Sequence, residues 1–276
     1  MKNAERIAVD VGNSRVKVGH FGPLEDRLPA CRASFVFSIG DDAAWSTVVR
    51  DLAGIPGRLP SAVIAGSSQQ GVDWLVNCWP DDWPDPHVIR SSSGFPIQIE
   101  VEQPQRVGLD RILNAIAGAR LRDTGQSCLV VDCGTATTVD VVSRRGAFSG
   151  GAILPGCAMS ARALNADTEA LPLVDFGEQV APLVSMEDGV PAGPAPLGLN
   201  TRTAIQSGVF WGQVGAIREL ISRLSQPGET ASLVILTGGG SAALLPFLPE
   251  AIHCPQLSLQ GLLIVAAECE GIQRLD

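Results

Sequence analysis

Apolar residues along the chain fall into two recurring patterns. Ile7-Ala8-Val9-Asp10-Val11-Gly12-Asn13-Ser14 is an apolar run that stops at an acidic, glycine-bearing turn, and Arg15-Val16-Lys17-Val18-Gly19-His20-Phe21 then alternates polar and apolar residues. A run followed by alternation across a short turn predicts a β-hairpin. The same order returns at Leu129-Val130-Val131-Asp132-Cys133-Gly134-Thr135-Ala136, followed by Thr137-Thr138-Val139-Asp140-Val141-Val142. This internal echo predicts two related domains facing one another.

Between and after the echoes, strand and helix signals alternate. Ser61-Ala62-Val63-Ile64-Ala65 reads as a buried strand, with a helix around Val72 to Cys78. The stretch 79–86 holds prolines that remove amide donors, so it reads as a surface loop. From Gly108 onward, Leu109, Ile112, Leu113, Ile116 and Ala117 recur at helical spacing, and that helix closes the first domain near Arg122. Phe148 to Leu154 reads as a strand. The stretch 181–196, rich in proline and glycine, reads as a mobile loop or flap. A long helix from Arg202 to Leu224, a buried strand at Ser232 to Leu236 and an apolar helix around Gly261 to Cys269 complete the chain. The expected fold class is therefore α/β, with domains at 1–122 and 123–276.

Composition narrows the partners. The chain has 276 residues, and 20 basic against 29 acidic side chains give a net charge of −9. That balance argues against wrapping nucleic acid and against adhesion to anionic membrane. Neither an apolar leader nor a run long enough to span a bilayer is visible. The seven cysteines are odd in number and scattered, which predicts free thiols and a cytoplasmic protein. Lys2 and Lys17 are the only lysines, so no Gly-x-x-x-x-Gly-Lys-Ser/Thr phosphate loop exists. The Val-Ala-Ile-Lys and His-Arg-Asp signatures of protein kinases are also missing.

Three motifs carry candidate chemistry, each beside a plainer explanation. Asp10-Val11-Gly12-Asn13-Ser14 puts a carboxylate at a strand end beside turn amides that could take phosphate, yet these residues also suit an ordinary hairpin turn. Its duplication at Asp132-Cys133-Gly134-Thr135 favours the functional reading. Thr237-Gly238-Gly239-Gly240 joins a buried strand to a helix and allows close backbone approach of a ligand. Gly238, Gly240 and Ala243 also match Gly-x-Gly-x-x-Ala, but no acidic residue follows at a second strand end, which counts against a dinucleotide site. Gly108-Leu109-Asp110-Arg111 opens the amphipathic helix. Asp110 there either complements the helix dipole or serves as a general base, and Arg111 is either a surface charge or an anion clamp.

Together these motifs resemble the type III pantothenate kinase family of the acetate and sugar kinase, Hsp70 and actin superfamily. The resemblance also rests on Gly150-Gly151-Ala152-Ile153-Leu154-Pro155-Gly156, on Asn200-Thr201 with Ala204-Ile205-Gln206-Ser207-Gly208, and on Thr237-Gly238-Gly239. It implies two ribonuclease-H-like domains with an interdomain nucleotide cleft. The activity it implies is ATP-dependent phosphorylation of pantothenate to 4'-phosphopantothenate, the first step of coenzyme A biosynthesis. Asp10, Val11, Gly12, Asn13, Ser14, Arg15, Val16 and Lys17 match the family's first phosphate-binding segment, and Thr135 matches a second ATP contact. Asp132 matches a ligand of a monovalent cation, K⁺ or NH₄⁺, and Mg²⁺ accompanies ATP. Gly108, Leu109, Asp110 and Arg111 match the pantothenate-binding motif, with Asp110 as proton acceptor. Thr201 matches a substrate contact supplied across a homodimer interface. Many members carry Tyr where Val101 stands, and this chain contains no Tyr. The alternatives that the sequence leaves are a catalytically weak nucleotide-binding regulator and another small-molecule kinase of the same superfamily.

Overall fold

A computed structural model describes residues 5–23, 26–55, 60–176, 185–187, 190–225 and 231–272. The chain divides into two compact units. Unit 1 comprises Met1–Leu121, Gly146–Phe148 and Gln256–Asp276; unit 2 comprises Arg122–Arg145 and Ser149–Pro255.

Unit 1 is built on β1 (Arg6–Val11), β2 (Arg15–Phe21), β3 (Cys31–Ser38), β4 (Ser61–Gly66) and β5 (His87–Ile89), in the order β3-β2-β1-β4-β5. β1 pairs antiparallel with β2 and parallel with β4, so the hairpin and the crossover share a central strand. Every residue of β1 is buried, as expected of a strand covered on both faces. Ile7, Val9 and Val11 meet a cluster containing Trp45, Val48 and Leu52 of α1 (Asp42–Ala53) and Val72 and Leu75 of α2 (Gln69–Asn77). The remaining helices are α3 (Leu109–Leu121) and the C-terminal α7 (Leu257–Ile272). These two pack together where Gly261 admits the α3 backbone; a Cβ there would collide with the Leu113 carbonyl. The sequence shows one apolar face on α3, but Asn114, Ala115 and Gly118 are buried as well, so the helix is enclosed on more than that face.

The loop 79–86 contains no helix, yet it is not simply a surface loop. Trp83 is buried and meets Trp79 and Trp45 edge-on, at 5.5 and 6.5 Å between ring centroids. Rings of that size gain too much from burial to remain in water.

Unit 2 repeats the plan. β6 (Cys128–Cys133), β7 (Ala136–Val142), β8 (Phe148–Pro155), β11 (Leu233–Thr237) and β12 (Ala251–His253) lie in the order β12-β11-β6-β7-β8. β6 pairs antiparallel with β7 and parallel with β11, as β1 does with β2 and β4. Leu129, Val131, Cys133 and Val139 form a core with Cys157 and Ala161 of α4 (Cys157–Ala166) and with Ile205, Phe210, Val214, Ile217 and Ile221 of α5 (Thr201–Leu224). A short helix, α6 (Ser241–Leu244), follows the glycine-rich loop after β11. The stretch read as a flap, 181–196, lies partly outside the described residues. Its described part includes the hairpin of β9 (Ser185–Glu187) and β10 (Val190–Ala192).

Candidate active site

The two hairpins place their acidic residues at the same step. Asp10 and Asp132 are each the penultimate residue of the central strand, and the Gly12 and Gly134 amides close the turns onto Arg15 O and Ala136 O at 2.9 and 3.1 Å. Asp10 stands opposite Lys17 in register and is only 3% exposed. Ser258 Oγ, near the start of α7, donates to Asp10 Oδ2 at 2.7 Å and thereby fixes the carboxylate plane. Asn13 and Ser14, at the tip of the turn, are exposed.

The end of β1 is tied to the next strand. Val11 O accepts from Ser67 N at 3.0 Å and from Ser68 N at 3.3 Å. Ser67 in turn lines a pocket of about 570 Å³, within the size range of small-molecule sites. Its walls come from three chain segments of unit 1: Gly66 to Gln69, Arg90 to Ser93, and Ile99 to Leu109. The third wall ends where α3 begins, so the structure brings Gly108 and Leu109 to the pocket edge. Asp110 lies in the first turn of α3, partly exposed, with its Oδ1 folded back against Gly108. A Cβ at residue 108 would meet that oxygen and turn the carboxylate aside, so glycine lets Asp110 keep this position. Arg111 stacks its guanidinium over the Phe148 ring at 5.4 Å from the centroid, a cation–π contact.

In unit 2, Asp132 is partly exposed and Thr135 exposed at the β6–β7 turn. Two glycine segments close on that turn. Gly156 N donates to Thr135 O at 3.1 Å, and a Cβ there would collide with the Gly134 and Thr135 carbonyls. Gly238 has φ +90° and lies against Asp132 Oδ1 and the Cys133 amide, while Gly240 N donates to Cys133 O at 2.9 Å. Ser241 Oγ donates to Gly238 O at 2.6 Å and lies 2.8 Å from His253 Nε2. Since the hydroxyl proton serves Gly238, His253 is the donor in the second bond.

Thr201 is exposed as the first residue of α5, after a capping box formed by Asn200 and Thr203. Burial raises Cys157 to about 11 and Cys133 well above its ordinary value, so both thiols beside these turns stay protonated at neutral pH. They are packing groups in that state, not nucleophiles. Ser258 and the serines Ser91 to Ser93 carry no local sequence signal of a site; distance in the chain hid the first and a featureless polar run the others.

Comparison with known proteins places these features in a family. The model of the type III pantothenate kinase family matches residues 6–223. A type III pantothenate kinase of Gluconobacter oxydans is 34% identical over 96% of this chain and 94% of its own. One of Dehalococcoides mccartyi is 36% identical over 94% and 96%. Among solved structures, a conserved putative Baf family transcriptional activator from Campylobacter jejuni gives a TM-score of 0.55 at 20% identity, covering 96% of this chain and 99% of that one. The activator of the 2-hydroxyisocaproyl-CoA dehydratase from Clostridium difficile, with bound ADPNP, gives 0.55 at 12%, covering 99% and 98%. At such identities the two structures speak to fold alone. With the repeated strand order they show two ribonuclease-H-like domains.

Proposed function

We infer that this chain, which belongs to the type III pantothenate kinase family, transfers the γ-phosphoryl group of ATP to pantothenate in the first step of coenzyme A biosynthesis. The observation that carries this reading is the Gly108-Leu109-Asp110-Arg111 segment, which opens α3 beside the 570 Å³ pocket with the Asp110 carboxylate turned back over Gly108.

Phosphoryl transfer depends mainly on alignment and charge neutralisation, with proton removal late. The assigned roles follow from that. Asp110 accepts the proton of the substrate hydroxyl, with Gly108 and Leu109 shaping the pocket around it and Arg111 steering the bound anion. In unit 1 the segment Asp10 to Lys17 contacts ATP phosphate, with Asn13 and Ser14 exposed at the turn and Lys17 opposite Asp10. In unit 2 Thr135 makes the corresponding contact from its own turn. The Asp10 carboxylate, oriented by Ser258, suits Mg²⁺ directly or through water, and the ion would neutralise phosphate charge. Asp132 is proposed to hold K⁺ or NH₄⁺; it supplies a hard oxygen donor, and Gly238 puts no Cβ against its Oδ1.

A homodimer is proposed as the working form. Leu197 and Leu199, just before α5, are 75% and 89% exposed, and Leu173, whose carbonyl accepts from Arg202 at 3.4 Å, is 51% exposed. Apolar side chains clustered beside exposed Thr201 suit burial against a second copy. The cytoplasm is the proposed compartment: every cysteine with a described side chain is a free thiol, and no described helix is long and apolar enough to cross a membrane.

A coupled assay of ADP release tests the reaction. The purified chain is expected to release ADP only when pantothenate is present, and faster with K⁺ than with Na⁺. ADP release that ignores pantothenate would overturn the reading.

A further inference from the structure

Among the described residues lining the unit 1 pocket, Arg90 is the one with a charged side chain. Its neighbours on the lining, Ser67, Gln69, Ser91, Ser92, Ser93 and Gln105, are neutral hydrogen-bonding residues. The guanidinium is held at the wall from behind. One terminal nitrogen donates to Asp73 Oδ1 on α2 at 2.9 Å, and Gln69 Nε2 donates to the same oxygen at 3.0 Å. Arg90 and Asp73 are 47% and 53% exposed, and an ion pair that open to solvent contributes little to stability. It does fix which way the planar fork faces, and because Asp73 takes only one hydrogen of that nitrogen, one of the two paired-donor edges of the guanidinium is left for another acceptor.

Pantothenate carries a single charge, a carboxylate, at the end of the molecule away from the hydroxyl that is phosphorylated. With the hydroxyl at Asp110 beside the wall that ends in Gly108 and Leu109, a cation on a different wall is what the other end requires. Arg111, assigned above to steering the anion, stacks on Phe148 and, like Asp110 and Val101, is not part of the pocket wall, so Arg90 is the cation on the wall itself. We propose that Arg90 binds the carboxylate end of pantothenate through the donor edge that Asp73 leaves and so makes the enzyme prefer the acid to uncharged analogues of the same shape. The neighbouring serines would supply hydroxyls to the amide portion between the two ends. This proposal rests on the pantothenate reading above.

The test compares two substrates in wild type, Arg90→Gln and Arg90→Lys: pantothenate, and the analogue whose carboxylate is replaced by hydroxymethyl. The quantity read is the ratio of kcat/KM for the acid to that for the neutral analogue. Losing a charge-assisted bidentate contact should lower that ratio roughly 10- to 100-fold in Arg90→Gln, with part of it restored in Arg90→Lys. Equilibrium dialysis of pantothenate without ATP should show the same loss of affinity. If Arg90→Gln weakens both substrates by one common factor, or keeps the wild-type ratio, Arg90 does not read the carboxylate and the proposal is overturned while the kinase reading stands. If wild type phosphorylates neither compound, the kinase reading itself falls, and this proposal with it.

Discussion

At Asp110, helix support and proton transfer predict damage in different places. A carboxylate that only complements the dipole of α3 contributes about 0.3–1 kcal/mol, so Asp110→Asn would lower the melting temperature slightly and leave turnover intact. A carboxylate that accepts the hydroxyl proton contributes to rate, and Asp110→Asn is then expected to lower kcat roughly 10²- to 10⁴-fold with the melting temperature little changed. Asparagine keeps the size of the side chain against Gly108 while removing its charge, so the variant isolates what the carboxylate charge does. Turnover and thermal midpoint on one variant separate the two; near-normal kcat in a stable protein removes Asp110 from the mechanism. Asp10 differs in kind. It is buried and hydrogen-bonded to Ser258, so its carboxylate is positioned by a residue 248 places away in the chain.

Between residues and the whole lie the connections that close on each strand end, and they are made of glycine where backbone meets backbone. Gly238 is the sharpest case, with φ in the left-handed region and Asp132 Oδ1 where a Cβ would stand. Gly238→Ala is expected to cost at least about 1–2 kcal/mol from backbone conformation alone, before the collision is counted. It should also displace the Asp132 carboxylate, and on the proposal that Asp132 holds K⁺, activation by K⁺ should weaken in the same variant. Gly239→Ala is the internal control, since a Cβ there meets nothing within 4 Å and its φ is not positive. Thermal unfolding of the pair checks the argument: equal destabilisation would mean that the loop is simply intolerant of side chains. The same logic explains why Gly261 lies where α7 crosses α3.

For the whole molecule, the repeated sheet order gives each unit a central strand ending in an acidic turn, and the units differ in what their helices cover. Unit 2 leaves Leu173, Leu197 and Leu199 exposed around the start of α5. The expected consequence is a dimer in solution, and Leu199→Glu should shift the sedimentation coefficient toward the single chain. Activity should fall with it if Thr201 serves the partner's substrate. A fully active wild-type species of single-chain mass would exclude that arrangement.

Period and punctuation alone located most elements to which the chemistry is assigned by proposal: β1 and β2, β6 and β7, the start of α3, the length of α5 and the strand before Gly238 all lie within a few residues of where the pattern puts them. These are local features, because alternation, helical spacing and glycine turns are written in consecutive residues. The elements without a strong local pattern were less legible. β3 is a half-exposed strand, and α4, largely exposed beyond its first turns, lacks a wide apolar stripe. Tertiary structure alone decided that α7 returns to unit 1, that Ser258 reaches Asp10, that Trp83 of a proline-rich loop is buried, and that Arg90 shares a pocket with Gly108. Each is a meeting of residues far apart in the chain, set by which faces must be buried together, and no window of sequence contains both partners.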